Sequence, residues 1–374
     1  MESIMPYENK YRVLAEIDLG RLKNNLQLIR QQLHPNTQIM AVVKADAYGH
    51  GAVPIAQTLV NHGVGALAVV LLEEGIELRK NGIKVPILVL GEVSPHQTEE
   101  LVHYHLTPMV CSLSLASALN KTGRQNRDII NLHVKVDVGM GSNGIVAAEC
   151  ITFINKLRLM EWLRIEGIFT HLNAAYGLNH LNAEIQISEF NDLLNRLNES
   201  GIFIPLIHAT SSLTILTMPE AEYNMVRLGA LLYGINNHSL AVKTQAVMQL
   251  KTRIAFLKHV KAGFKGGYGW NFTTSRNTLI ATLPVGYGDA FFLAFVQKGN
   301  VLIHGRKVYV LGSVCMDHLM IDVTDIDGAA IGDEVVLLGE QGNGTITVEG
   351  IAAREHFAPV LPCLLSRRVP RIYI

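Results

Sequence analysis

The chain has 374 residues, of which 49% are hydrophobic and 17% are charged, which is enough for a large core and a second domain. Its 32 lysines and arginines balance 32 aspartates and glutamates, so no basic surplus favours nucleic acid or an anionic membrane as a partner. We therefore expect a small neutral ligand.

The N-terminal residues and the cysteines bear on the location of the protein. The first residues include an early acid, and no stretch of about 18 uninterrupted apolar residues follows, so we expect neither a signal peptide nor a membrane span. The 4 cysteines form no Cys-x-x-Cys pair, which argues against a zinc ribbon or a disulfide framework. We predict no metal site and a reducing, cytoplasmic location.

Short apolar runs recur between residues 38 and 228 and are separated by segments of helical periodicity. Predicted helices include Leu22–Gln32, Ala52–Asn61, Leu72–Asn81 and Glu184–Glu199. This alternation is expected of a parallel sheet covered by helices, and its eight repeats predict a TIM-type (β/α)8 barrel. The predicted strands are Gln38–Val43, Ala66–Val70, Val85–Leu90, Thr107–Cys111, Asn131–Asp137, Arg164–Phe169, Ile204–His208 and Asn224–Leu228.

The pattern changes after about Gly234 to closely spaced strands with glycine turns, a short helix around Val348–Glu355 and a final strand-like run. We therefore predict an α/β fold in which an N-terminal TIM-type barrel, residues 10–240, is followed by a C-terminal all-β domain, residues 241–374. The predicted strands of that domain are Thr278–Leu283, Val301–His304, Lys307–Leu311, Leu319–Val323 and Glu334–Leu338.

A single lysine, Lys44, stands where the first barrel strand meets a glycine-rich turn. Burial lowers the pKa of a lysine toward the neutral amine, which is the form that bonds covalently to carbonyl cofactors. A lysine that merely extends past a strand end would have the same pattern. The residue types around Lys44 alone therefore leave both interpretations open.

Other reactive side chains also follow predicted barrel strands. Catalytic groups of TIM barrels gather at the carboxyl ends of the strands, and phosphates often bind after strands seven and eight. Each residue has an ordinary alternative, such as a core histidine, a helix cap or a tight turn, but their occurrence on one rim favours an active site. They are Lys44, Lys135, Asp137, His171, Ser211, Ser212, Arg227 and Gly229.

Residues 41–51, Ala-Val-Val-Lys-Ala-Asp-Ala-Tyr-Gly-His-Gly, resemble the segment by which alanine racemases attach pyridoxal phosphate (PLP). The resemblance extends over nearly the whole chain and implies that Lys44 holds the cofactor. It further implies that the cofactor phosphate is bound by Tyr48, Ser212, Gly229 and Ala230.

The same resemblance assigns the residues around the cofactor ring. Arg227, in Asn-Met-Val-Arg-Leu-Gly, matches an arginine that hydrogen-bonds the pyridine nitrogen. His171, in Thr-His-Leu, matches a histidine that supports this arginine and the catalytic tyrosine. Lys135 matches a lysine that is often carbamylated in the family.

Three segments of the second domain also resemble family motifs. Tyr268, within Gly-Gly-Tyr-Gly-Trp, matches the tyrosine whose hydroxyl is the second base, although the residues alone would also suit a flexible turn. Tyr287 resembles a residue on the path by which substrate enters. Met316, next to Asp317, resembles a backbone contact to the substrate carboxylate, and its ordinary alternative is core packing.

The resemblance implies a PLP-dependent racemase that interconverts L- and D-alanine with one base on each face of Cα. Lys44 would deprotonate the D-isomer and Tyr268 the L-isomer. An ordinary phenol has a pKa of about 10, so such a base needs nearby positive charge or hydrogen bonding, which His171 and Arg227 would supply. In this family the tyrosine loop reaches the other subunit, which implies a homodimer with a shared active site.

Two positions depart from the family pattern. Ser142 stands where the family usually has an arginine that faces the cofactor's phenolic oxygen and the substrate carboxylate. Arg367 stands where a tyrosine usually touches both phosphate and substrate methyl, and it could still pair with phosphate. We therefore consider an alternative, a racemase of broad specificity that prefers serine or basic amino acids.

Two other functional classes remain as alternatives. A PLP-dependent decarboxylase can share this architecture, but its glycine-rich phosphate loop is missing after strands six and seven. A PLP-binding protein without catalysis would end after the barrel, whereas roughly 135 further residues follow here. Both alternatives are disfavoured.

Overall fold

The computed structural model describes residues 11–172, 180–210, 212–218, 221–235, 242–289, 299–352 and 360–374. By their contacts these residues form two compact units. The barrel unit comprises Lys23–Leu232 and His238–Thr244, and the β unit comprises Met1–Leu22, Tyr233–Asn237 and Gln245–Ile374. The division of the chain after residue 240 stays a prediction.

The described chain begins with strand β1 (Val13–Ile17) and helix α1 (Leu19–Arg30). Asp18 Oδ1 accepts a hydrogen bond from the backbone N–H of Arg21 (2.9 Å), which caps the first turn of α1. This cap explains why the helix begins three residues before the predicted start at Leu22.

Parallel strands form the barrel sheet, in the order β10-β2-β3-β4-β5-β6-β8-β9, with the short β7 paired to β6. All eight predicted barrel strands are present, so the prediction of a TIM-type barrel is confirmed. The strands are β2 (Gln38–Val42), β3 (Ala66–Val69), β4 (Ile87–Val89), β5 (Thr107–Val110), β6 (Ile130–Asp137), β7 (Ile145–Val146), β8 (Leu163–Phe169), β9 (Leu206–His208) and β10 (Met225–Leu228).

The barrel nearly closes between β9 and β10. Asn224 bridges this seam, because its side chain accepts from Ile207 N–H (2.8 Å) and donates to Pro205 O (2.7 Å). Farther along, Arg227 N–H donates to Thr210 O at 3.3 Å. Side chains from alternate strand positions fill the interior; they are Met40, Val42, Ala66, Ala68, Leu88 and Met225.

Helices of the barrel unit bury one apolar face each. In α3 the buried residues recur with helical spacing, at Ala52, Ile55, Ala56 and Leu59. These helices are α3 (Ala52–Asn61), α4 (Leu72–Lys80), α5 (Thr98–His103), α6 (Leu113–Asn126), α7 (Ala147–Arg158), α8 (His180–Glu199) and α9 (Ser212–Thr217), while α2 (Lys44–Tyr48) is a single turn without right-handed helical geometry at residues 45–47. No helix in the described ranges has the length and apolar character needed to cross a bilayer.

The β unit contains a sheet in the order β12-β15-β18-β17-β16-β19-β11-β1-β21, with β20 on β19, and a separate pair β13-β14. The predicted all-β region is therefore confirmed. Its strands are β11 (Met248–Arg253), β12 (Phe256–Val260), β13 (Lys265–Gly266), β14 (Phe272–Thr273), β15 (Thr278–Leu283), β16 (Asn300–Ile303), β17 (Arg306–Leu311), β18 (Leu319–Asp322), β19 (Glu334–Gln341), β20 (Gly344–Ile346) and β21 (Arg371–Tyr373). Its helices are α10 (Val348–Ala352) and α11 (Val360–Cys363).

Strand β1 comes from the start of the chain but belongs to this second sheet. It pairs antiparallel with β11 and parallel with β21. The sequence did not predict β1, β11 or β12. The predicted helix at Val348–Glu355 begins at the expected residue, and its last three residues lie outside the described part of the chain.

Candidate active site

The chain follows β2 with one left-handed turn that starts after Lys44. The four residues 45–48 have φ between 52° and 54°, a conformation that costs roughly 1–2 kcal/mol per residue other than glycine. Glu74 accepts the N–H of Ala45 (2.6 Å), and the carboxylate of Asp46 accepts the first N–H of α3 (2.7 Å). Such strain persists only where surrounding structure holds it, and it is typical of functional sites.

The predicted phosphate contacts meet next to this turn. Gly229 N–H donates to Ser212 Oγ at 2.8 Å, and a Cβ at Gly229 would lie 2.6 Å from the hydroxyl oxygen of Tyr48. The glycine therefore lets the tyrosine hydroxyl approach the backbone. Ala230 begins a 3-10 turn, Ala230–Tyr233. The neighbouring Ser211 lies outside the described residues.

Arg227 lies in β10 with 5% of its surface exposed. Its guanidinium donates to the carbonyls of Thr170 (2.7 Å), His208 (3.0 Å) and Ala209 (3.1 Å) and packs over the Phe169 ring. Burial lowers the pKa of Arg227 to about 9, so the group remains a cation at neutral pH. A rigid, buried cation is thus fixed at the barrel end.

A buried histidine chain that the sequence analysis missed continues from Arg227. Arg227 Nη1 donates to His208 Nδ1 (2.7 Å), and His208 Nε2 lies 2.9 Å from His133 Nδ1. Because arginine only donates, neutral His208 carries its proton on Nε2 and passes a hydrogen bond to His133. The proton of neutral His133 then lies on Nε2, which faces Glu166 at 3.7 Å.

His133 and His208, the two hydrogen-bonded histidines, are both neutral. Burial is the main cause that lowers the pKa of His133 and of His208, and the charge of Arg227 adds to it. The interaction with His133 lowers the pKa of Glu166. The sequence contained a pattern that could have predicted these two histidines. His208 ends a barrel strand, and His133 lies two residues before Lys135, on the same face of its strand.

His171 reaches the same guanidinium from another side. Its Nδ1 lies 3.5 Å from Arg227 Nη2, so it accepts, and Nε2 of the neutral ring keeps the proton. Burial, and then the charges of Arg227, Lys135 and Lys44, lower the pKa of His171 to about 4. Interaction with all three cations places these predicted residues in one site.

Lys135 points from β6 to the loop where the expected arginine is missing. Its Nζ donates to Ser142 Oγ (3.3 Å) and to Asn143 Oδ1. Burial lowers the pKa of Lys135, with contributions from the neighbouring cations. Partial burial would raise the pKa of Asp137, but the backbone N–H groups of residues 139–141 donate to its carboxylate and lower that pKa.

The predicted residues of the β unit lie mostly at its surface. Tyr268 is 74% exposed, Met316 51% and Tyr287 40%, and Trp270, beside Tyr268, is 69% exposed. The expectation that Met316 could be a core residue is therefore wrong. These side chains are available to contact something beyond the unit.

Two of the β-unit motifs pack on each other through their backbones. The N–H groups of Tyr287 and Gly288 donate to the carbonyls of Cys315 and Met316, at 3.1 and 2.9 Å. The pairing holds the peptide groups of the second motif in a fixed arrangement.

A buried carboxylate organises the same region. Asp289, 1% exposed, accepts two hydrogen bonds from Arg12 and lies 3.5 Å from Arg368 Nε. Arg368 also donates to Asp317 at 2.5 Å, and this bond lowers the pKa of Asp317. The neighbouring Arg367 is exposed and makes no hydrogen bond or ion pair with the described residues. Arg367 was predicted from the sequence as a binding residue, whereas Arg12 and Arg368 were not.

Comparison with known proteins identifies the architecture. A family model of the alanine racemase N-terminal domain matches residues 17–237, and one of the C-terminal domain matches residues 247–373. The chain belongs to the alanine racemase family. The prediction of this family, with its fold and its enzyme class, a PLP-dependent isomerase, is confirmed.

Individual family members match over nearly their full lengths. Alanine racemase of Halothermothrix orenii is 42% identical, covering 96% of each chain. The solved alanine racemase of Clostridium difficile 630 is 34% identical with a TM-score of 0.93, covering 98% of this chain and 96% of that one. The Bacillus anthracis enzyme, solved with bound L-Ala-P, is 30% identical with a TM-score of 0.91, covering 99% of this chain and 96% of that one.

The residues of the barrel unit fit the family's cofactor. Tyr48, Ser212 and the backbone at Gly229 form a cradle that a Cβ would fill, and three cations stand close together. Within the described ranges, Thr210 Oγ1 is the one buried side-chain polar atom without a hydrogen-bond partner. An anionic, hydrogen-bonding ligand would satisfy these groups.

Proposed function

We propose that this chain interconverts L- and D-alanine by removing a proton from one face of Cα and returning a proton to the other face. Lys44 serves one face and Tyr268 serves the other. The observation that carries the proposal is the cradle of Tyr48, Ser212 and Gly229 beside Lys44 and the buried Arg227, in a chain with both alanine racemase domains. PLP supplies the sink for the electrons released at Cα. The residues around it decide which bond breaks and where the proton returns.

Lys44 is the proposed covalent attachment point for the cofactor and the base for one face of the substrate. It lies two residues beyond β2, whose residues 39–42 are buried, and is itself partly buried.

Arg227 is proposed to donate to the pyridine nitrogen. Its hydrogen bonds to the described residues use Nη1 and Nη2 and leave the Nε–H available. A guanidinium does not surrender its proton, so Arg227 would leave the ring nitrogen of bound PLP as a hydrogen-bond acceptor. Charge would then stay nearer Cα, which would favour return of the proton there over transamination.

Tyr268 is proposed to serve the other face, as part of the active site of a second copy. The exposure of Tyr268, Trp270, Tyr287 and Met316 suits a surface that is covered by another chain. Neutral His171, with a proton on Nε2, is then the hydrogen-bond donor proposed to stabilise the tyrosine when it is deprotonated. A homodimer with two shared sites follows from this arrangement.

The shared site can be tested by complementation. Lys44→Ala and Tyr268→Phe chains are each expected to be inactive alone, whereas a mixture refolded together should regain about one quarter of the wild-type rate, because half of the dimers are mixed and hold one intact site. An inactive mixture that contains mixed dimers by native mass spectrometry would contradict the shared site.

The reaction itself is tested by NMR in D2O with added PLP. Loss of the Cα proton from L- and D-alanine, with appearance of the other isomer, supports racemisation, and Lys44→Ala is the control. Carbon dioxide release would instead favour the decarboxylase alternative. PLP binding without exchange would favour the carrier alternative.

A wider substrate range is the second candidate. It is favoured by Ser142, which replaces a long arginine with a short, exposed side chain, and by Arg367. Serine, lysine and arginine should then be racemised at rates within about a hundredfold of alanine. A larger preference for alanine, unaltered in Arg367→Tyr, would rule out this role for both positions.

We further propose a cytoplasmic location. All 4 cysteines are described, and each is a free thiol rather than part of a disulfide. Free thiols are typical of a reducing compartment.

A further inference from the structure

We propose that Asn271 is a positioning residue for Tyr268, because it fastens the tyrosine loop to the loop that carries Met316. This inference rests on the proposed function, in which Tyr268 is a base. The Asn271 side chain belongs to neither of the predicted sets of catalytic and binding residues.

The tyrosine loop has little support of its own. It is the tip of a hairpin whose strands, β13 and β14, pair through two residues each, Lys265 with Thr273 and Gly266 with Phe272. Two-stranded hairpins are marginally stable in water. The Tyr268 side chain makes no hydrogen bond or ring contact within the described ranges, so its position depends on the backbone.

Asn271 attaches this loop to the loop of residues 312–316, beside the Phe272 ring, which would also meet a Cβ at Gly312. Its Nδ2 donates to Ser313 Oγ, and its Oδ1 lies 2.7 Å from the place where a Cβ of Gly312 would be. The same oxygen also occupies the space of a Cβ at Gly267. Both glycines have positive φ, 75° at Gly267 and 66° at Gly312, so the amide fills a notch that requires glycine on each side.

The loop that carries Ser313 and Met316 is itself held firmly by backbone hydrogen bonds. Ser313 precedes the residues whose carbonyls accept from Tyr287 and Gly288, and the N–H of Cys315 donates to His318 O at 2.9 Å. The Asn271–Ser313 bond therefore joins the proposed base to the proposed substrate-contacting backbone. Loss of the bond should displace Tyr268 without removing its hydroxyl.

A displaced base slows only its own proton transfer. Misplacement by about 1 Å can cost a hundredfold in rate. The L-isomer gives its proton to Tyr268 and the D-isomer gives its proton to Lys44. Displacement of Tyr268 should therefore slow mainly the transfer between Tyr268 and Cα. Both directions share one equilibrium constant, so isotope effects, and not the ratio of kcat/KM values, report which transfer is limiting.

The experiment compares Asn271→Ala and Ser313→Ala with the double variant, using alanine deuterated at Cα. We expect kcat to fall about tenfold or more in either single variant, with little further loss in the double variant. The deuterium isotope effect should rise for L-alanine and fall for D-alanine. The visible absorbance of bound PLP and the dimer mass should stay unchanged.

The matched control is Asn277→Ala, which removes a side-chain hydrogen bond to Ala262 N–H in a neighbouring turn. It should leave both isotope effects unchanged. Isotope effects that also stay unchanged in Asn271→Ala, at any kcat, would overturn the proposal, as would additive losses in the double variant. The unaltered chain and Tyr268→Phe are measured first, so that failure of the proposed function is recognised separately.

Discussion

The two regions that carry the predicted catalytic residues are built in opposite ways. In the barrel unit, Arg227 is buried, donates to three carbonyls and connects to a chain of neutral histidines. In the β unit, Tyr268 is 74% exposed and depends on a short hairpin. The comparison teaches that electrostatic groups are positioned here by burial, whereas the proposed second base is positioned by its loop.

The largest contrast should appear when one residue from each region is removed. Arg227→Ala removes a buried cation that donates to His208 Nδ1 and to the carbonyls of Thr170, His208 and Ala209, so the free energy of unfolding should fall by about 3–5 kcal/mol. Tyr268→Phe should change it by about 0.5 kcal/mol or less, because the site is exposed. Urea denaturation of both variants measures the difference.

The Tyr268→Phe variant should lose activity while it keeps its stability. Tyr268→Phe should lower kcat by about 10²–10⁴-fold while the protein keeps its bound PLP. A Tyr268→Phe protein with the activity of the unaltered chain would remove the tyrosine from the proposed mechanism.

Gly229 tests how closely the cradle is packed. In Gly229→Ala the new methyl group would lie 2.6 Å from the Tyr48 hydroxyl and push the ring away, so PLP affinity should fall by about tenfold. In a Tyr48→Phe background the same change should cost much less, since the hydroxyl is already gone. Equal costs in both backgrounds, measured by PLP titration, would show that the two side chains do not meet.

Acidic pH should weaken the barrel site through its buried histidines. His133, His171 and His208 have folded-state pKa values below the unfolded value of about 6.5, so unfolding takes up protons as the pH falls below that value. Each histidine should lower the free energy of unfolding by about 1.4 kcal/mol per pH unit until its folded pKa, about 4 for His171, is reached. Above pH 6.5 this contribution is fully present.

Denaturation of His208→Phe from pH 7 to pH 5 provides the check. Its stability should depend less steeply on pH than that of the unaltered chain. Identical slopes would show that unfolding does not change the protonation of His208, which would contradict its lowered pKa in the folded protein.

The smallest expected effect concerns Lys135. Its ammonium already donates to the neutral oxygens of Ser142 and Asn143, and no arginine stands at position 142 to stabilise a carbamate. NMR with 13C-bicarbonate should therefore show no carbamate carbon, whereas Ser142→Arg should permit one. A carbamate signal in the unaltered chain that disappears in Lys135→Met would contradict this expectation.

Much of the barrel could be predicted because its information is local. Strands such as β2 and β10 are short, mainly apolar runs, and their order along the chain gives their order in the sheet. Strand β1 was missed because its partners, β11 and β21, lie hundreds of residues away. Strand pairing over such separations leaves no signal in a local window.

The candidate site also contains residues that local motifs predict and contacts that they do not predict. Motif resemblance predicted Lys44, Ser212, Arg227 and Tyr268, because their neighbouring residues are distinctive. It did not find the contact between His133 and His208 or the bond between Asn271 and Ser313. Those pairs come from separate strands and loops, and only the folded chain brings them within hydrogen-bonding distance.

Local sequence patterns were enough to predict the fold class, the family and the chemical types of the proposed catalytic groups, since periodicity and motifs are properties of neighbouring residues. The tertiary structure decided which of these groups are buried, which tautomers the histidines adopt and which arginine pairs with Asp317. Burial and hydrogen-bond partners depend on distances between remote segments, and those distances exist only after the chain has folded.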